Sequence, residues 1–231
     1  MGAMDEEVEA LAQTLSSGQR LHTPFLDVPI FRGSLQEQEV VIVRCGIGKV
    51  NAALATQYTI DHFEPRIIIN SGVAGGVSPN VRIGDLVLGT SSMQHDVDVR
   101  KFGHPRGVIP RLATSVFQAE PHLLELALQA AMQELDPARI HQGLIVSGDQ
   151  FVCSREQKQE IVAFFPEAIC VEMEGAAIAQ VASVNQIHHL IVRAISDQAD
   201  NTAPQDFDEY LLEIIPVLNG VIQRLLALLK N

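Results

Sequence analysis

Residues 66–76 read RIIINSGVAGG and give the clearest indication of the fold. The three consecutive isoleucines, Ile67 to Ile69, form a short β-branched run that is apolar on both faces, as in a strand buried inside a sheet. The run ends in glycines and other small residues, which let neighbouring groups approach the backbone closely. We therefore predict a buried strand at 66–71, followed by a glycine-rich turn at the edge of the sheet.

Short apolar strands alternate with helical stretches on both sides of this segment. A helix is expected to open at the acidic residues 5–7. The other predicted strands are 40–44, 85–89, 143–147, 168–172 and 190–196, and the other predicted helices are 49–63, 123–135, 174–184 and 210–229. Such alternation predicts an α/β fold in which helices cover both faces of the sheet. The length of 231 residues, without repeats or linkers, predicts one domain spanning residues 1–231.

The composition argues against several classes of partner. A hydrophobic content of 47% and a charged content of 19% are sufficient for a packed core. The formal charge of -12 repels phosphate backbones and anionic lipids, so neither nucleic acid nor a membrane is expected as a partner. We find no apolar stretch of roughly 20 residues and no signal peptide. The three cysteines lack a CxxC motif, and free thiols of this kind predict a reducing, cytoplasmic location.

Small or ionisable residues follow four of the predicted strands. The four groups are residues 72–76, 147–149, 172–174 and 196–197, which read GVAGG, SGD, EME and SD. In open α/β sheets, ligands bind beyond the carboxyl ends of the strands. The sequence therefore predicts a binding site where these four segments meet.

The acidic residues of these groups also have structural explanations that the sequence leaves open. Glu172, Glu174 and the acids at 5–7 could serve only the first turn of a helix, where negative charge is favourable. Asp197 could cap a helix or pair with Arg193, or it could be a desolvated carboxyl group that holds a proton near neutral pH. We expect one of Glu172 and Glu174 to contact a ligand.

Other motifs give no sign of a metal or a cofactor. In residues 95–98, HDVD, the alternation puts the histidine and the two aspartates on opposite faces, and a second ligand cluster is missing. The glycine runs at 46–48 and 72–76 match neither the dinucleotide-binding fingerprint nor the P-loop. No Gly-x-Ser-x-Gly elbow is present, and no cysteine has a reactive setting. We expect neither metal nor cofactor.

Six segments, taken together, carry a family resemblance. They are residues 2–8 (GAMDEEV), 46–50 (GIGKV), 70–76 (NSGVAGG), 147–151 (SGDQF), 171–174 (VEME) and 193–197 (RAISD). Their order and spacing resemble those of 5′-methylthioadenosine/S-adenosylhomocysteine nucleosidases, of the purine nucleoside phosphorylase-like superfamily. The resemblance covers nearly the whole chain. It implies a three-layer α/β/α sandwich around a central mixed, twisted sheet, and it implies a homodimer.

The resemblance also implies a reaction and its catalytic groups. The reaction is hydrolysis of the N-glycosidic bond of an adenine thionucleoside, either 5′-methylthioadenosine or S-adenosylhomocysteine, with 5′-deoxyadenosine as a possible further substrate. Asp197 corresponds to the general acid that protonates the imidazole ring of adenine, and Glu7 to the base that activates water. Glu174 corresponds to the acceptor for the ribose hydroxyl groups.

Further positions follow from the same resemblance. Met173 and Phe151 are expected to pack on ribose and base, and the backbone of Val152 to hydrogen-bond adenine. An apolar pocket for the 5′-alkylthio group is expected from Met4, Ile47 and Phe207. The other expected binding positions are Ala3, Val73, Ala74, Gly75, Glu172 and Ser196, with Phe102 and Pro110 closing the pocket from the partner subunit.

Two departures from the family pattern accompany the resemblance. Relatives have an apolar strand before Gly-Ala-Met, whereas this sequence starts at Met1, so we expect Ala3 and Glu7 to be less firmly held. Val73 stands where relatives often have serine, which removes a hydroxyl group near the water or the ribose.

Three rival functions remain open at this stage. A nucleoside phosphorylase would use phosphate in place of water, but three carboxylates at the site would repel a phosphate dianion. A nucleosidase could act on another adenine nucleoside, such as an aminofutalosine-type substrate. A nucleoside-binding module would bind without releasing adenine.

Overall fold

The computed structural model describes residues 1–23 and 29–229. Its helices are α1 (Asp5–Ala12), α2 (Lys49–Phe63), α3 (Pro121–Ala131), α4 (Arg155–Phe164), α5 (Gly175–Val184) and α6 (Ala203–Leu228). Its strands are β1 (Ser16–Leu21), β2 (Ile30–Leu35), β3 (Gln38–Val43), β4 (Ile67–Gly76), β5 (Leu86–Gln94), β6 (Phe117–Gln118), β7 (Ile140–Ser147), β8 (Ala168–Glu172) and β9 (His188–Asp197).

The central sheet has six strands in the order β6-β5-β7-β8-β4-β9. The pairs β5–β7, β7–β8 and β4–β9 are parallel, whereas β4–β8 and β5–β6 are antiparallel, so the sheet is mixed as expected. Strand β5 also pairs antiparallel with β9, so that β5, β7, β8, β4 and β9 form a closed ring of paired strands. A separate antiparallel sheet contains β1, β2 and β3.

Strand β9 shows how both faces of the central sheet are covered. Leu190, Val192 and Ala194 point into a core cluster that includes the buried face of α6. Ile191 and Ile195 belong to a cluster on the opposite face, which includes Ala179 of α5. Because both faces are buried, the strand is apolar without alternation, and this explains why the sequence predicted it clearly.

The C-terminal helix α6 is longer than expected. Among the described residues, it is the one helix long and apolar enough, by length and composition alone, to cross a membrane. No such stretch was predicted from the sequence, because Asp208, Glu213 and Arg224 interrupt the apolar run. The buried face of α6 packs with β4 and β9 in the main core, as the core helix of a globular domain does.

The first two residues connect the two sheets. The Met1 ammonium donates to the carbonyl oxygen of Ile69 at 2.7 Å, and the Ser71 amide donates to the Met1 carbonyl oxygen at 2.9 Å. Gly2 forms an isolated parallel bridge with Arg44, next to β3. Beyond these contacts a groove of about 740 Å³ separates the facing edges of β3 and β4.

Most predicted elements are confirmed, with shifted ends. Helix α2 and strand β8 have the predicted bounds, and β4, β5 and β9 extend beyond theirs. Strands β1, β2 and β6 and helix α4 were not predicted, and residues 72–76, predicted as a turn, are the end of β4. Strand β1 is mostly exposed and polar, so it lacks the apolar signal of the central strands.

Candidate active site

The structure brings the four predicted segments together. Strands β4 and β9 run in parallel with Gly75 opposite Asp197. Strands β7 and β8 run in parallel with Ser147 opposite Glu172, and β8 also pairs with the end of β4. The ends of these strands therefore meet at one edge of the central sheet, where the sequence predicted a site.

Glu7 lies in the first turn of α1, but its side chain points away from solvent and is 3% exposed. Its Oε2 accepts the amides of Ala3 at 2.6 Å and Met4 at 3.1 Å, and its Oε1 accepts the amide of Val73 at 3.0 Å. Burial raises the pKa of Glu7 above that of an ordinary glutamate, although Arg193 and the three amides oppose this. The carboxylate is therefore held between α1 and β4.

Asp197 ends β9 and is 2% exposed. Its Oδ1 accepts the amide of Ala199 at 2.8 Å, and its Oδ2 accepts the hydroxyl of Ser196 at 2.9 Å. Burial raises the pKa of Asp197, the hydrogen bonds from Ala199 and Ser196 oppose this, and the nearby charges of Asp206 and Asp200 add to the rise. The net shift favours the protonated form, which is the form that a general acid needs.

Glycines on β4 leave room for these carboxylates. A Cβ atom at Gly75 would lie 2.7 Å from Asp197 Oδ1. A Cβ atom at Gly72 would overlap Arg193 Nη1 and Glu7 Oε1. The glycine run is therefore required by close side-chain approach and not by a phosphate group.

Glu7 and Asp197 contact the same strand two residues apart. Glu7 accepts the amide of Val73, and Asp197 lies against Gly75. Two residues of an extended strand span about 7 Å, which separates the two contact points along β4. Both carboxyl groups therefore approach neighbouring positions of β4.

Glu172 is occupied by protein donors. Arg193 Nη2 and the Ser147 hydroxyl both donate to its carboxylate. The amides of Glu174 and Gly175 donate to Glu172 Oε2 at 3.0 Å and 2.7 Å, so Glu172 also caps the start of α5. The structural explanation left open by the sequence thus applies to Glu172, and Arg193 pairs with Glu172, not with Asp197.

Glu174 differs from Glu172 in its hydrogen bonds. Among the described residues, a single donor reaches its carboxylate: the Gly48 amide, 2.7 Å from Oε1. Burial raises the pKa of Glu174 to about 8, and the charge of Glu172 acts in the same direction. Its second oxygen, Oε2, accepts no hydrogen bond from the part of the chain that the structure describes, so it can accept one from a ligand.

Apolar side chains surround this polar edge. Phe151 and Phe207 form an edge-to-face pair with ring centroids 6.0 Å apart. Ile47 is exposed, whereas Met4 and Met173 are partly buried. Val152 is buried in a core cluster with Val171 of β8 and Ala199. Partly exposed apolar groups beside buried carboxylates are typical of small-molecule sites.

Residues at the start of the chain are held more firmly than the sequence analysis expected. Ala3 is 7% exposed, and the amides of Ala3 and Met4 both bond to Glu7. The preceding backbone is fixed by hydrogen bonds between Met1 and β4, and by those of Gly2 with Val43 of β3 and with Cys45 just after it. The side chain of Val73 packs in the main core, and Ser196 Oγ lies 3.4 Å from the carbonyl oxygen of Ala74.

Phe102 and Pro110 lie apart from these groups. Both belong to the segment between β5 and β6, where Phe102 is 83% exposed and Pro110 is also exposed. Within one chain they do not add to the buried carboxylate cluster. Their expected role depends on a second subunit.

The sequence analysis did not identify Arg193 as part of the site. Its side chain is 1% exposed, and Nη2 donates to Asn70 Oδ1 at 2.6 Å as well as to Glu172. A charged residue inside an otherwise apolar strand could have signalled this role, because a buried guanidinium requires counterions. Arg193 connects the environments of Glu7 and Glu172.

The groove between β3 and β4 is not the predicted site. The 740 Å³ groove between β3 and β4 is lined by Glu7 but by none of the other predicted site residues. Its walls are mostly apolar side chains from β3, β4 and α6. Chemistry, not cavity size, therefore identifies the carboxyl edge of the sheet as the candidate site.

The chain is similar to known proteins in both sequence and fold. A sequence model of the phosphorylase superfamily matches residues 1–230. The 5′-methylthioadenosine/S-adenosylhomocysteine nucleosidase of Staphylococcus aureus is 40% identical over 211 residues, covering 91% of this chain and 90% of that protein. The Neisseria meningitidis nucleosidase of the same name, solved in complex with methylthio-immucillin-A, aligns with a TM-score of 0.93 at 38% identity, covering 98% of this chain and 96% of that one.

A solved structure with a different name is also similar. A futalosine hydrolase mutant of Helicobacter pylori aligns with a TM-score of 0.90 at 30% identity, covering 97% of this chain and 96% of that one. The superfamily match spans nearly the whole sequence, and the Staphylococcus aureus relative is well above 30% identity over most of it. The chain belongs to the 5′-methylthioadenosine/S-adenosylhomocysteine nucleosidase family of the phosphorylase superfamily.

Proposed function

We propose that this chain hydrolyses the N-glycosidic bond of 5′-methylthioadenosine and S-adenosylhomocysteine, releasing adenine and the 5-substituted ribose. One observation carries the proposal beyond the family name. Two buried carboxyl groups, Asp197 and Glu7, contact β4 two residues apart in opposite electrostatic surroundings.

Asp197 is the proposed general acid. Adenine is a poor leaving group as an anion, so a proton on its imidazole ring must accompany cleavage. The raised pKa of Asp197 keeps a proton available. General acid assistance of this kind is typically worth about 100- to 10,000-fold.

Glu7 is the proposed base that orients and deprotonates the attacking water. Arg193 and three backbone amides favour its ionised form. The cationic sugar that develops during cleavage is stabilised by nearby negative charge. Glu174, with one oxygen free of protein donors, is the proposed partner of the ribose hydroxyl groups.

Glu172 has a different proposed role. Four protein donors occupy its carboxylate, which therefore holds Arg193 and the start of α5 in position. We therefore place it among the residues that organise the site. Met173, Phe151 and Val152 remain the proposed contacts for ribose and adenine, and Met4, Ile47 and Phe207 the proposed 5′ pocket, because an apolar pocket suits a thioether and disfavours a buried hydroxyl.

A homodimer is part of the proposal. Phe102 is exposed, as are Ile47, Val50 and Leu54 at the start of α2. Large apolar side chains left in solvent favour an interface with a second copy. Phe102 and Pro110 would then reach the pocket of the partner subunit.

The proposal also covers the domain organisation, the cellular location and the partners of the chain. We propose one nucleosidase domain over residues 1–231, active in the cytoplasm and in methionine salvage, without metal, cofactor, nucleic acid or membrane partner. The negative charge of the chain and the free thiols of Cys45, Cys153 and Cys170 support this context.

The test is adenine release from purified protein in phosphate-free buffer. We expect turnover of 5′-methylthioadenosine and S-adenosylhomocysteine, with no acceleration when phosphate is added. Strict dependence on phosphate would assign the chain to the phosphorylases. Tight binding of adenosine analogues without adenine release would assign it a binding role.

A second substrate class is favoured by one comparison. Because the Helicobacter pylori futalosine hydrolase mutant is also similar in fold and sequence, aminofutalosine-type adenine nucleosides belong in the same assay. We expect lower kcat/KM for these and for 5′-deoxyadenosine than for 5′-methylthioadenosine. The reverse order would change the substrate assignment but leave the reaction class intact.

A further inference from the structure

Three loops that follow different strands are tied together beside Glu174. The backbone amide of Lys49, at the start of α2, donates to Asp149 Oδ1 at 2.7 Å. The amide of Asp149, after β7, donates to Asp96 Oδ2 at 3.0 Å. Lys49 Nζ then donates to Asp96 Oδ1 at 2.6 Å, so the three residues form a closed ring of hydrogen bonds.

The ion pair in this ring is largely shielded from solvent. The side chains of Lys49 and Asp96 are 16% and 20% exposed. Lys49 Nζ also donates to Gln94 Oε1 at 2.9 Å, and Gln94 donates to Gln180 of α5 at 2.6 Å. Although burial raises the pKa of Asp96, hydrogen bonds from Lys49 and the Asp149 amide outweigh this and hold it below the ordinary value. Asp96 is therefore ionised in the ring.

Gly48 connects the ring to Glu174. It immediately precedes Lys49 and has φ +92°, a conformation that favours glycine. A Cβ atom on Gly48 would lie 3.1 Å from Asp149 Oδ1, so the ring packs tightly against this residue. The Gly48 amide is the single protein donor to the Glu174 carboxylate among the described residues.

We propose that Asp96 and Lys49 are positioning residues for Glu174. Their ion pair fixes the loop that carries Gly48, the Gly48 amide orients Oε1 of Glu174, and Oε2 is thereby directed to the ribose hydroxyl groups. This inference rests on the proposed role of Glu174 in sugar binding. The ring itself does not contact the substrate.

A neighbouring ion pair provides a matched control. Asp98 lies two residues from Asp96 in the same loop and pairs with Arg100 at 2.6 Å, but both side chains are largely exposed. Exposed pairs of this kind contribute little to structure. Asp98→Asn thus makes the same chemical change in the same loop without affecting the ring.

The kinetic test is a double-mutant cycle measured as adenine release from 5′-methylthioadenosine. We expect Asp96→Asn to lower kcat/KM about 10-fold, mainly through KM, since small misplacements of binding groups reduce rates strongly. Asp98→Asn should leave kcat/KM unchanged. In a Glu174→Gln background, Asp96→Asn should have less than about a 2-fold further effect, because coupled residues are not additive. Full additivity, or no effect of Asp96→Asn alone, would overturn the proposal.

A second measurement does not require activity. The groups that face Glu174 are Glu172, Arg193, Glu7 and the Cys45 thiol. In ¹⁵N-labelled protein, we expect the Gly48 amide shift to follow the titration of Glu174 in the wild type and in Asp98→Asn. In Asp96→Asn and in Lys49→Gln, that response should weaken and move to higher pH, because the amide no longer stabilises the carboxylate.

The two measurements separate the two proposals. If the wild type releases no adenine but the Gly48 response depends on Asp96, the proposed function fails and the positioning role stands. An unchanged Gly48 response in both ring variants would overturn the positioning role whatever the activity. Lys49→Gln tests the same ion pair from its other side if Asp96→Asn does not fold.

Discussion

Asp197 and Glu7 are both buried carboxyl groups with raised pKa values, but their neighbours carry opposite charges. Asp197 has Asp206 and Asp200 nearby, which disfavour its ionised form. Glu7 has the Arg193 guanidinium, which favours ionisation. Burial alone therefore does not distinguish the proposed general acid from the proposed base. The charged neighbours favour the protonated form at Asp197 and the ionised form at Glu7, while hydrogen bonds to both carboxyl groups favour ionisation.

Their hydrogen bonds differ in a second way. One partner of Asp197 is the hydroxyl of Ser196, which can either donate or accept. All three partners of Glu7 are backbone amides, which can only donate. Exchanging a carboxylate for an amide is therefore tolerated at position 197 but leaves an amide facing an amide at position 7.

The largest expected effect comes from Asp197→Asn. The asparagine oxygen can accept the Ala199 amide and its NH₂ can donate to Ser196, so the fold should persist while the transferable proton is lost. We expect kcat/KM for 5′-methylthioadenosine to fall about 10,000-fold. Adenine release measures this, with Asp208→Asn on the exposed side of α6 as the control. Loss of less than tenfold would remove Asp197 as the general acid.

Glu7→Gln is expected to have the next largest effect, about 100-fold on kcat/KM, because water remains available without its base. Part of the loss reflects the amide mismatch, which also lowers the free energy of unfolding by about 1–3 kcal/mol. The pH profile separates the two causes. In the wild type, kcat/KM falls at low pH as Glu7 is protonated, and this acidic limb should disappear in the variant.

Glu6→Gln, one residue earlier and exposed, is the matched control for that experiment. It should retain both the rate and the acidic limb. An acidic limb that survives in Glu7→Gln would show that another group acts as the base.

The Glu174→Gln variant tests a third buried carboxyl group through the free energy of unfolding. Burial raises the pKa of Glu174 from 4.5 to about 8, so between these values the folded state holds a proton that the unfolded state has released. The free energy of unfolding therefore falls as the pH rises through this window. Glutamine avoids this loss, so the variant should be more stable than the wild type by roughly 1–3 kcal/mol at pH 8 and by much less at pH 4.

Urea unfolding at both pH values measures this effect, while activity should fall. Glu6→Gln again provides the exposed control. A Glu174→Gln variant that is less stable than the wild type at pH 8 would mean that the carboxylate is ionised and well stabilised in the folded chain.

The sequence predicted the central sheet well because its strands are buried on both faces. Strand β9 is apolar on both faces for that reason, and the same reasoning located the edge of the sheet where Asp197, Glu172 and Glu174 lie. Strands β1 and β2 were missed because they belong to a small sheet with exposed polar positions. Periodicity identifies burial, so weakly buried elements escape it.

Sequence patterns could not distinguish Glu172 from Glu174. The two glutamates are two residues apart: Glu172 ends β8 and Glu174 immediately precedes α5. Only the fold brings Arg193 and Ser147 to Glu172 and leaves Glu174 with the Gly48 amide. Those partners are 21, 25 and 126 residues away along the chain, so local reasoning had no access to them.

Asp206→Asn is expected to have the smallest effect, and it tests the surroundings of Asp197 directly. Removing the Asp206 charge removes one contribution that raises the pKa of Asp197. Because Asp197 must be protonated to act, the alkaline limb of kcat/KM should move to lower pH. The Thr202 hydroxyl, which donates to Asp206 Oδ2 at 2.8 Å, can still bond to the asparagine oxygen, so the loop should stay in place.

The shift of the alkaline limb should shrink in 1 M salt, where the Debye length is about 3 Å. A shift to higher pH would mean that the acidic neighbours do not set the protonation of Asp197, and the contrast with Glu7 would then rest on Arg193 alone.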